Sequence, residues 1–330
     1  MVVGTGYAGQ RHADALRELG VAFSGPLSAR DVVRDPAPLR AHDVVHVCSA
    51  NDLHAPLVIA ALDAGKDVIC EKPLALDVRS AEDLARRAAM SGRAAFLSYN
   101  YRFHPLIVEL AARVAAGALG ALHDVRGSFL QDWLLLSSDD NWRLDAARGG
   151  ESRVIADIGA HWLDLAEVVS GRKIEAVVAQ VGRLHQRATE DHAGLLIRFD
   201  GGLLGTCVLS QAAAGHRNDL ELSIDGTRSS ATWRHERPDE LWIGARDTDE
   251  SGAVKRDGAL VSAQARALGA LPRGTNEARR NLLAAVYARL DGDAAPPAAP
   301  LPTFEDGVRH LRFAAAALES AKRSAWVSVG

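Results

Sequence analysis

The sequence predicts two consecutive domains: an α/β domain over residues 1–104 and an α+β domain over residues 105–330. In the first hundred residues, short apolar runs alternate with segments of helical periodicity. This is the pattern of a doubly wound parallel sheet with helices on both faces. Beyond residue 120, apolar runs follow one another and tight-turn sequences separate them, which indicates an open-faced, mostly antiparallel sheet. At 330 residues, the chain is also too long for one ordinary core.

The first domain begins with a very short strand, at residues 2–3, and a glycine-rich turn. Residues 8–19 carry the apolar stripe of a helix, and a short strand is expected at 21–23. The later elements of this domain are strands at 43–48, 66–70 and 94–98 and helices at 51–65 and 80–91. Ser80 is expected to cap the last of these helices, and Asp83 completes an approximate capping box.

The second domain begins with a helix at 105–116 and then changes to strands. The predicted strands cover residues 122–133, 174–184, 193–199, 203–209, 219–224, 229–234 and 240–243. Hairpin-type turn sequences lie at 199–203 and 224–227. Further helices are expected at residues 157–169, 276–290 and 304–322. A rigid surface loop with four prolines, 292–302, separates the last two helices.

The composition excludes several classes of function. The net charge is −4 with acids and bases interspersed, so no basic footprint for nucleic acid or an anionic membrane is present. No apolar run reaches the roughly 18 residues of a membrane span, and the N-terminus has no signal-peptide pattern. The three cysteines, Cys48, Cys70 and Cys207, are too far apart for a disulfide framework or a metal pair. The expected compartment is therefore the reducing cytoplasm.

A glycine-rich loop between the first strand and the first helix has the spacing G-x-G-x-x-G. In this context Gly4 allows the tight turn, Gly6 lets the backbone approach a pyrophosphate, and Gly9 permits close packing of helix and strand. The intervening loop residues are Thr5, Tyr7 and Ala8. A turn without a ligand is the alternative for the motif alone. The strand–helix context favours a dinucleotide site, with phosphates at the helix N-terminus.

The residues that would select the dinucleotide depart from the NAD pattern. An acidic residue is expected at the end of the second strand, where it would bind the ribose 2′-hydroxyl. The stretch 21–30 contains no acid, but it contains Ser24, Ser28 and Arg30, which suit a 2′-phosphate. We therefore expect NAD or NADP as cofactor, with NADP favoured.

Two short motifs supply groups for proton transfer. Glu71-Lys72-Pro73 follows a buried strand, so Lys72 stands over the crevice where its ammonium group would reach a substrate oxygen. Asp157 and His161 lie one helical turn apart, and an imidazole is suited to accept a proton from an alcohol. The alternatives are a solvated lysine and an aspartate that only caps its helix. These residues do not make a metal site, because a third ligand is lacking.

Other polar and aromatic residues follow the predicted strands at the same edge of the sheet. The candidates for the cofactor side are Ser49, Asn51 and His54, together with Glu71 and Pro73. The candidates for a polyol pocket are Tyr101, Arg102, His104, Trp142 and Arg143. For His54 the alternative is a residue that only starts a helix. For the segment 99–105 it is packing at the domain junction, and for Trp142 it is a place in the core.

Together these residues resemble the Gfo/Idh/MocA family, named for glucose–fructose oxidoreductase, inositol dehydrogenase and a rhizopine-catabolism protein. The resemblance rests on the segments VVGTGYAGQRHA, SANDLHAP, VICEKPLA, YNYRFHP, DIGAHWLDLAE and PTFEDGVRHLRFAAAALESA. It implies a Rossmann domain, an open-faced sheet domain, and NAD(P)-dependent oxidation of a ring hydroxyl on a sugar, anhydrosugar or cyclitol. It assigns Lys72, Asp157 and His161 to catalysis. It also implies a homo-dimer or homo-tetramer built by face-to-face packing of the large sheets.

Two departures from the family pattern are expected to matter. The first strand is short, so the true start of the chain is expected upstream of Met1. The segment 20–43 has room for only a reduced strand–helix unit, so either the adenosine side is trimmed or a segment is missing. Two alternative functions stay open: a non-catalytic sugar or nucleotide sensor, and other family chemistry such as redox-assisted glycoside cleavage or imine-type reduction.

Overall fold

Two β-sheets organise the chain, one parallel and one mixed. The structure is a computed structural model, and it describes residues 1–248, 251–260, 262–274 and 276–330. Within these residues, the first hundred positions form a four-stranded sheet and the rest forms a nine-stranded sheet. The predicted combination of an α/β part with an α+β part is confirmed. No helix in the described ranges is long and apolar enough to cross a membrane.

The first sheet is parallel throughout and has the strand order β1-β2-β3-β4. Its strands are β1 (Val2–Val3), β2 (Val44–Val47), β3 (Asp67–Cys70) and β4 (Ala95–Leu97). Its helices are α1 (Tyr7–Glu18), α2 (Ala29–Arg34), α3 (His54–Asp63) and α4 (Val78–Ser91). The strands are almost entirely buried, which is why they consist of continuous apolar runs rather than alternating ones.

The predicted strand at 21–23 does not form. In its place Leu27 makes a single parallel bridge to Val3, and the Val2 amide donates to the Ser24 carbonyl at 2.8 Å. Gly25 lies between these contacts with φ +102°, a conformation that ends an extended strand. The reduced strand–helix unit thus consists of this bridge and α2. After β1 the chain passes to one side of this strand, where Leu27 makes its bridge, and later returns on the other side as β2. This reversal places a topological switch point at the glycine-rich loop.

The cap of α4 differs from the expected one. The helix begins at Val78, two residues before Ser80, and its cap is Asp77. The Asp77 carboxylate accepts hydrogen bonds from the amide and the hydroxyl of Ser80, both at 2.8 Å. Asp77 displaces Ser80 as the cap because its longer reach satisfies two donors at once.

The second sheet has the order β12-β11-β10-β9-β5-β8-β7-β6-β13, with one parallel pairing, between β5 and β8. Its strands are β5 (Leu122–Leu130), β6 (Ile174–Gly182), β7 (His192–Phe199), β8 (Leu204–Ser210), β9 (Asp219–Gly226), β10 (Ser229–Arg234), β11 (Glu240–Ala245), β12 (Ser251–Lys255) and β13 (Val327–Ser328). All seven predicted strands form, although β5 and β6 end earlier than expected. The short edge strands β12 and β13 were not predicted.

Helices cover one face of this sheet and leave the other open. The helices of this part are α5 (Pro105–Ala115), α6 (Ala146–Gly149), α7 (Ala160–Ser170), α8 (Ala263–Gly269), α9 (Glu277–Leu290) and α10 (Phe304–Arg323). Of these, α5, α7 and α10 make the main contacts with the strands of the sheet. Along β7 the inward residues are buried, whereas Leu196 is half exposed. Leu204 and Val208 are exposed on the same open face. Helix α10 packs against β6 and also against α4, so it joins the two parts of the chain.

Candidate active site

The centre of the site is an ion pair between the two halves of the chain. Lys72 follows β3 and precedes a cis peptide bond to Pro73. Its ammonium group donates to the Asp157 carboxylate and, at 2.9 Å, to the Asp157 carbonyl. Asp157 lies in a π-helical turn, Ile155–Gly159, and its amide already donates to the Arg153 carbonyl at 2.7 Å. Asp157 is therefore inside the helix, so the interpretation of this residue as a cap is wrong.

Three donors surround the Asp157 carboxylate. Besides Lys72, the Gln211 amide donates to Oδ2 at 2.8 Å, and Arg143 Nε lies 3.3 Å from the same oxygen. Burial opposes ionisation of this group. The positive charges of Lys72 and Arg143 nevertheless hold the pKa of Asp157 well below its usual value. The carboxylate is ionised, and it keeps the Lys72 ammonium at the mouth of the parallel sheet.

His161 lies one helical turn after Asp157, in an aromatic box. Its ring is 6.1 Å from that of Tyr99, 5.0 Å from Tyr101 and 6.4 Å from Phe129. Burial, and then the charge of Lys72, lower the pKa of His161 to about 3, so the imidazole is neutral. Its buried Nδ1 has no hydrogen-bond partner among the described residues. Asp157 is engaged by other donors, so it does not orient the imidazole directly.

A chain of polar side chains forms one wall beside His161. The Asn218 amide donates to the Tyr101 hydroxyl at 3.0 Å and accepts from Gln131 at 2.9 Å. The Trp133 indole donates to Gln131 Oε1 at 2.7 Å. Sequence reasoning found Tyr101 but missed the other three residues. Gln131 and Trp133 follow β5, so their place at a strand end was an available signal.

Trp142 and Arg143 are brought to the same site by a short 3₁₀ turn before α6. The Arg143 guanidinium lies over the Trp142 ring, 4.3 Å from its centroid, and 5.9 Å from that of Trp133. Because Arg143 also reaches Asp157, it connects this aromatic rim to the ion pair. An indole rim of this kind suits stacking on an apolar sugar face.

Arg102 and His104 do not enter this site. Arg102 donates to both Asp164 oxygens at 2.8–2.9 Å through Nε, and its Nη2 lies 3.0 Å from Asp306. It is buried, and two carboxylates occupy its guanidinium, so its expected place in the pocket is wrong. His104 is buried beside Trp233, with 4.9 Å between ring centroids, under the second sheet. The structure therefore places both residues in packing between elements.

The glycine-rich loop has the geometry of a pyrophosphate cradle. A Cβ atom at Gly4, where φ is +123°, would lie 2.3 Å from the Cys48 carbonyl oxygen. A Cβ at Gly9 would lie 1.8 Å from the Gly4 oxygen. Gly6 is exposed with open space beside it, and α1 begins directly after it without a side-chain cap. The free amides of Tyr7 and the next residues suit an anionic group, so these residues fit a bound dinucleotide.

Models of known protein families match both parts of the chain. Residues 27–99 match the model of an oxidoreductase family with an NAD-binding Rossmann fold, and residues 107–232 match that of the GFO/IDH/MocA C-terminal domain. The chain belongs to the Gfo/Idh/MocA family.

Individual relatives of this Gfo/Idh/MocA protein are dehydrogenases. Levoglucosan dehydrogenase of Pseudarthrobacter phenanthrenivorans is 30% identical over 70% of this chain and 64% of its own length. D-xylose 1-dehydrogenase [NADP(+)] of Haloarcula marismortui is 27% identical over 58% and 54%. The chain thus spans less than two thirds of these curated relatives. An inositol dehydrogenase homolog from Azotobacter vinelandii, complexed with NAD+, matches with TM-score 0.87 and 26% identity over 99% and 96% of the two chains.

In this family member, the predicted residues on the cofactor side mainly hold loops together. His54 Nδ1 lies 2.7 Å from the Pro73 carbonyl oxygen, and Nε2 lies 3.2 Å from the Ser49 carbonyl oxygen. The Asn51 amide donates to the Gly149 carbonyl at 2.9 Å. The Ser24 hydroxyl pairs with His42 at 2.9 Å. The polar side chains of these residues position the strand ends around the cradle.

Glu71 lies at the end of a buried hydrogen-bond chain that sequence reasoning missed. Its Oε1 is 3.1 Å from His12 and 3.2 Å from Arg279, and its Oε2 accepts from the Lys72 amide at 3.3 Å. His12 contacts His46 at 2.9 Å, and His46 contacts Tyr287 at 2.9 Å. Burial opposes ionisation of Glu71, but the hydrogen bond with His12 and the charge of Arg279 hold its pKa well below its usual value. This hydrogen-bond chain fixes the backbone from which the Lys72 side chain projects.

Proposed function

We propose that this protein is an NAD(P)-dependent oxidoreductase that moves a hydride between nicotinamide and a ring hydroxyl or ketone. The substrate class is a sugar, an anhydrosugar or a cyclitol. The observation that carries the proposal is the ion pair between Lys72, which follows β3, and Asp157, which lies one helical turn before His161. The glycine-rich loop follows β1 of the same parallel sheet, so the loop and Lys72 both lie at the carboxyl edge of its strands. The names of two relatives, levoglucosan dehydrogenase and D-xylose 1-dehydrogenase [NADP(+)], support the proposal.

Each member of this cluster has a distinct role. The nicotinamide, when bound, accepts or supplies the hydride. Lys72 donates a hydrogen bond to the reacting oxygen and stabilises the negative charge that develops there. His161 is neutral and accepts the hydroxyl proton. Asp157 holds Lys72 in place through its carboxylate and its carbonyl oxygen.

Replacement of Lys72 tests this assignment. We expect Lys72→Met to lower kcat by about 10²- to 10³-fold, because one preorganised donor to the developing oxyanion is lost. Binding of NADH or NADPH, measured by fluorescence, should stay close to that of the unmodified protein. Lys173→Met is the matched control, since Lys173 also pairs with a carboxylate, that of Glu167, but is exposed at the end of α7. Unchanged turnover in Lys72→Met would remove Lys72 from the mechanism.

NADP is the proposed preference between the two cofactors. Ser28 and Arg30 lie one and three residues after Leu27, whose carbonyl accepts from the Gly4 amide at 2.8 Å. No acid lies at 21–30. A serine hydroxyl and a guanidinium at this edge suit a 2′-phosphate. Ser24 contributes less than expected because His42 occupies its hydroxyl. Parallel titrations with NADH and NADPH test the preference, and tighter NADH binding would end it.

A homo-oligomer built through the open sheet face is also proposed. A shallow depression of about 610 Å³ lies on this face and is lined in part by exposed Leu196 and Val208. Exposed Leu204 lies on the same face. Exposed apolar side chains on a broad sheet are typical of a self-association surface. Light scattering of the purified protein tests this, and a monomer at all concentrations would refute it.

The three cysteines are buried and unpaired, which supports a cytoplasmic location.

A substrate screen separates the proposed function from its alternatives. Monosaccharides, disaccharides, inositols and anhydrosugars are each tested with NAD and with NADP, following reduced cofactor by absorbance. Net reduction with a simple polyol supports the dehydrogenase. Cofactor binding without turnover of any substrate would refute it and favour a sensor. Cleavage of a disaccharide without net reduction of cofactor would favour redox-assisted glycoside cleavage.

A further inference from the structure

Gln211 is a buried amide that connects the Asp157 carboxylate to a second arginine. It follows β8 immediately and has no exposed surface. Its Nε2 donates to Asp157 Oδ2 at 2.8 Å, and its Oε1 accepts from Arg153 Nη1 at 2.7 Å. Neither Gln211 nor Arg153 was among the residues expected from sequence to form the site.

The chemistry of the two neighbours permits only one orientation of this amide. A guanidinium has donors and no acceptor, and an ionised carboxylate has acceptors and no donor. The carbonyl oxygen of Gln211 must therefore face Arg153, and its NH₂ group must face Asp157. The flipped amide would place donor against donor and acceptor against acceptor in a buried site. Arg153 thus selects the state in which Gln211 donates to Asp157.

Each nitrogen of the Arg153 guanidinium has a hydrogen-bond partner. Its Nε donates to the Thr189 hydroxyl at 3.0 Å, and its Nη2 pairs with the Asp191 carboxylate. Asp191 also accepts from Arg187 at 3.0 Å, and both acid and Arg153 are almost fully buried. Buried charges with satisfied partners have little freedom to move. The orientation of Gln211 is therefore fixed by the buried network that Arg153 forms with Thr189 and Asp191.

We propose that Gln211 is a positioning residue that holds the Asp157 carboxylate in the rotamer that anchors Lys72, and that Arg153 fixes Gln211 for this task. The inference rests on the proposed function, since it assumes that Lys72 and Asp157 serve hydride transfer. Gln211 occupies Oδ2 and leaves Oδ1 for the Lys72 ammonium. Without it, Oδ2 keeps only the longer contact with Arg143, the carboxylate is free to rotate, and Lys72 loses its defined position.

Gln211→Leu removes the donor at nearly constant volume. We expect kcat to fall about 10- to 100-fold, because a displaced reacting group costs about this much in rate, with the KM for cofactor unchanged. The KM for the sugar should change much less than kcat, because Gln211 acts on the position of the Lys72 ammonium group. Arg153→Lys should lower kcat in the same way, since it keeps the charge but not the guanidinium fork.

Asn281→Leu is the matched control. Asn281 is also a buried amide between an arginine and an acceptor: Arg280 donates to its Oδ1 and it donates to the Phe103 carbonyl, both at 3.1 Å. The substitution should lower stability but leave kcat as it is. Gln211→Leu with unchanged kcat would overturn the proposal.

A second measurement does not need turnover, so it stays decisive if no sugar is oxidised. The urea midpoint is measured for Gln211→Leu, Asp157→Asn and the double variant. The destabilisation by Gln211→Leu should shrink in the Asp157→Asn background, whereas that by Asn281→Leu should not. Strictly additive effects of Gln211→Leu and Asp157→Asn would refute the coupling. Failure of the substrate screen with coupling intact would refute the proposed function alone.

Discussion

Arg102 offers the clearest test of how the two halves of the chain are held together. Its guanidinium bonds Asp164 through three contacts of 2.5–2.9 Å, pairs with Asp306 at 3.0 Å, and donates to the Pro300 carbonyl at 3.0 Å. The Arg102 side chain is only 4% exposed. Arg102→Leu removes all five contacts and leaves two carboxylates facing an apolar side chain.

The cost follows from the burial of these carboxylates. Removing one partner of a buried ion pair costs about 3–5 kcal/mol, because the other charge stays desolvated. The loss also depends on pH. Burial raises the pKa of Asp164 to about 6 even beside the guanidinium, and Arg102 lowers the pKa of Asp164 and of Asp306. Without Arg102 both pKa values rise, so the carboxylates take up protons, and the unpaired charge is relieved, at a higher pH than in the unmodified protein. The loss should be largest near pH 8 and smaller near pH 5.

The free energy of unfolding, measured by urea titration at pH 8 and pH 5, checks this reasoning. Arg126→Leu is the control, because Arg126 pairs with Asp225 and Asp124 on the exposed sheet and should cost at most about 1 kcal/mol. A loss below about 1 kcal/mol for Arg102→Leu would show that the ion cluster is not what holds these elements together. A loss that grows towards pH 5 would show that the carboxylates are not the cause.

Three further substitutions test separate parts of the structure. Gly9→Ala should weaken dinucleotide binding and lower the melting temperature, since its Cβ would lie 1.8 Å from the Gly4 oxygen; wild-type NADPH affinity would contradict the cradle. Val208→Asp should reduce the oligomer to a monomer by light scattering while the circular dichroism spectrum is preserved, and an intact oligomer would locate the interface elsewhere. Trp142→Ala should raise the KM for sugar several-fold without changing cofactor binding, because Arg143 loses its stacking partner; an unchanged KM would exclude the indole from the pocket.

The elements of the fold were predictable where local pattern and tertiary role agree. The apolar runs that became β2 and β3 are buried on both faces, so their composition alone predicts them. The run at 21–23 is equally apolar but forms no strand, because Gly25 adopts φ +102° and β1 offers only one bridge, at Leu27. Whether a short run becomes a strand depends on the neighbour that the sheet offers, and this neighbour is not encoded locally.

The same limit applies to the side chains of the site, because the local sequence does not predict which partners they meet. Lys72 follows a buried strand, and this position alone placed it at the mouth of the parallel sheet, where it meets Asp157. Arg102 also follows a strand end, yet its carboxylate partners are 62 and 204 residues further along the chain. Gln211 carries no charge and no motif, although its amide has one permitted orientation once Arg153 and Asp157 flank it. Sequence position thus predicts where a residue's backbone lies. The role of a long polar side chain is decided by which opposite charge the fold brings within about 3 Å, and such pairings need the three-dimensional structure.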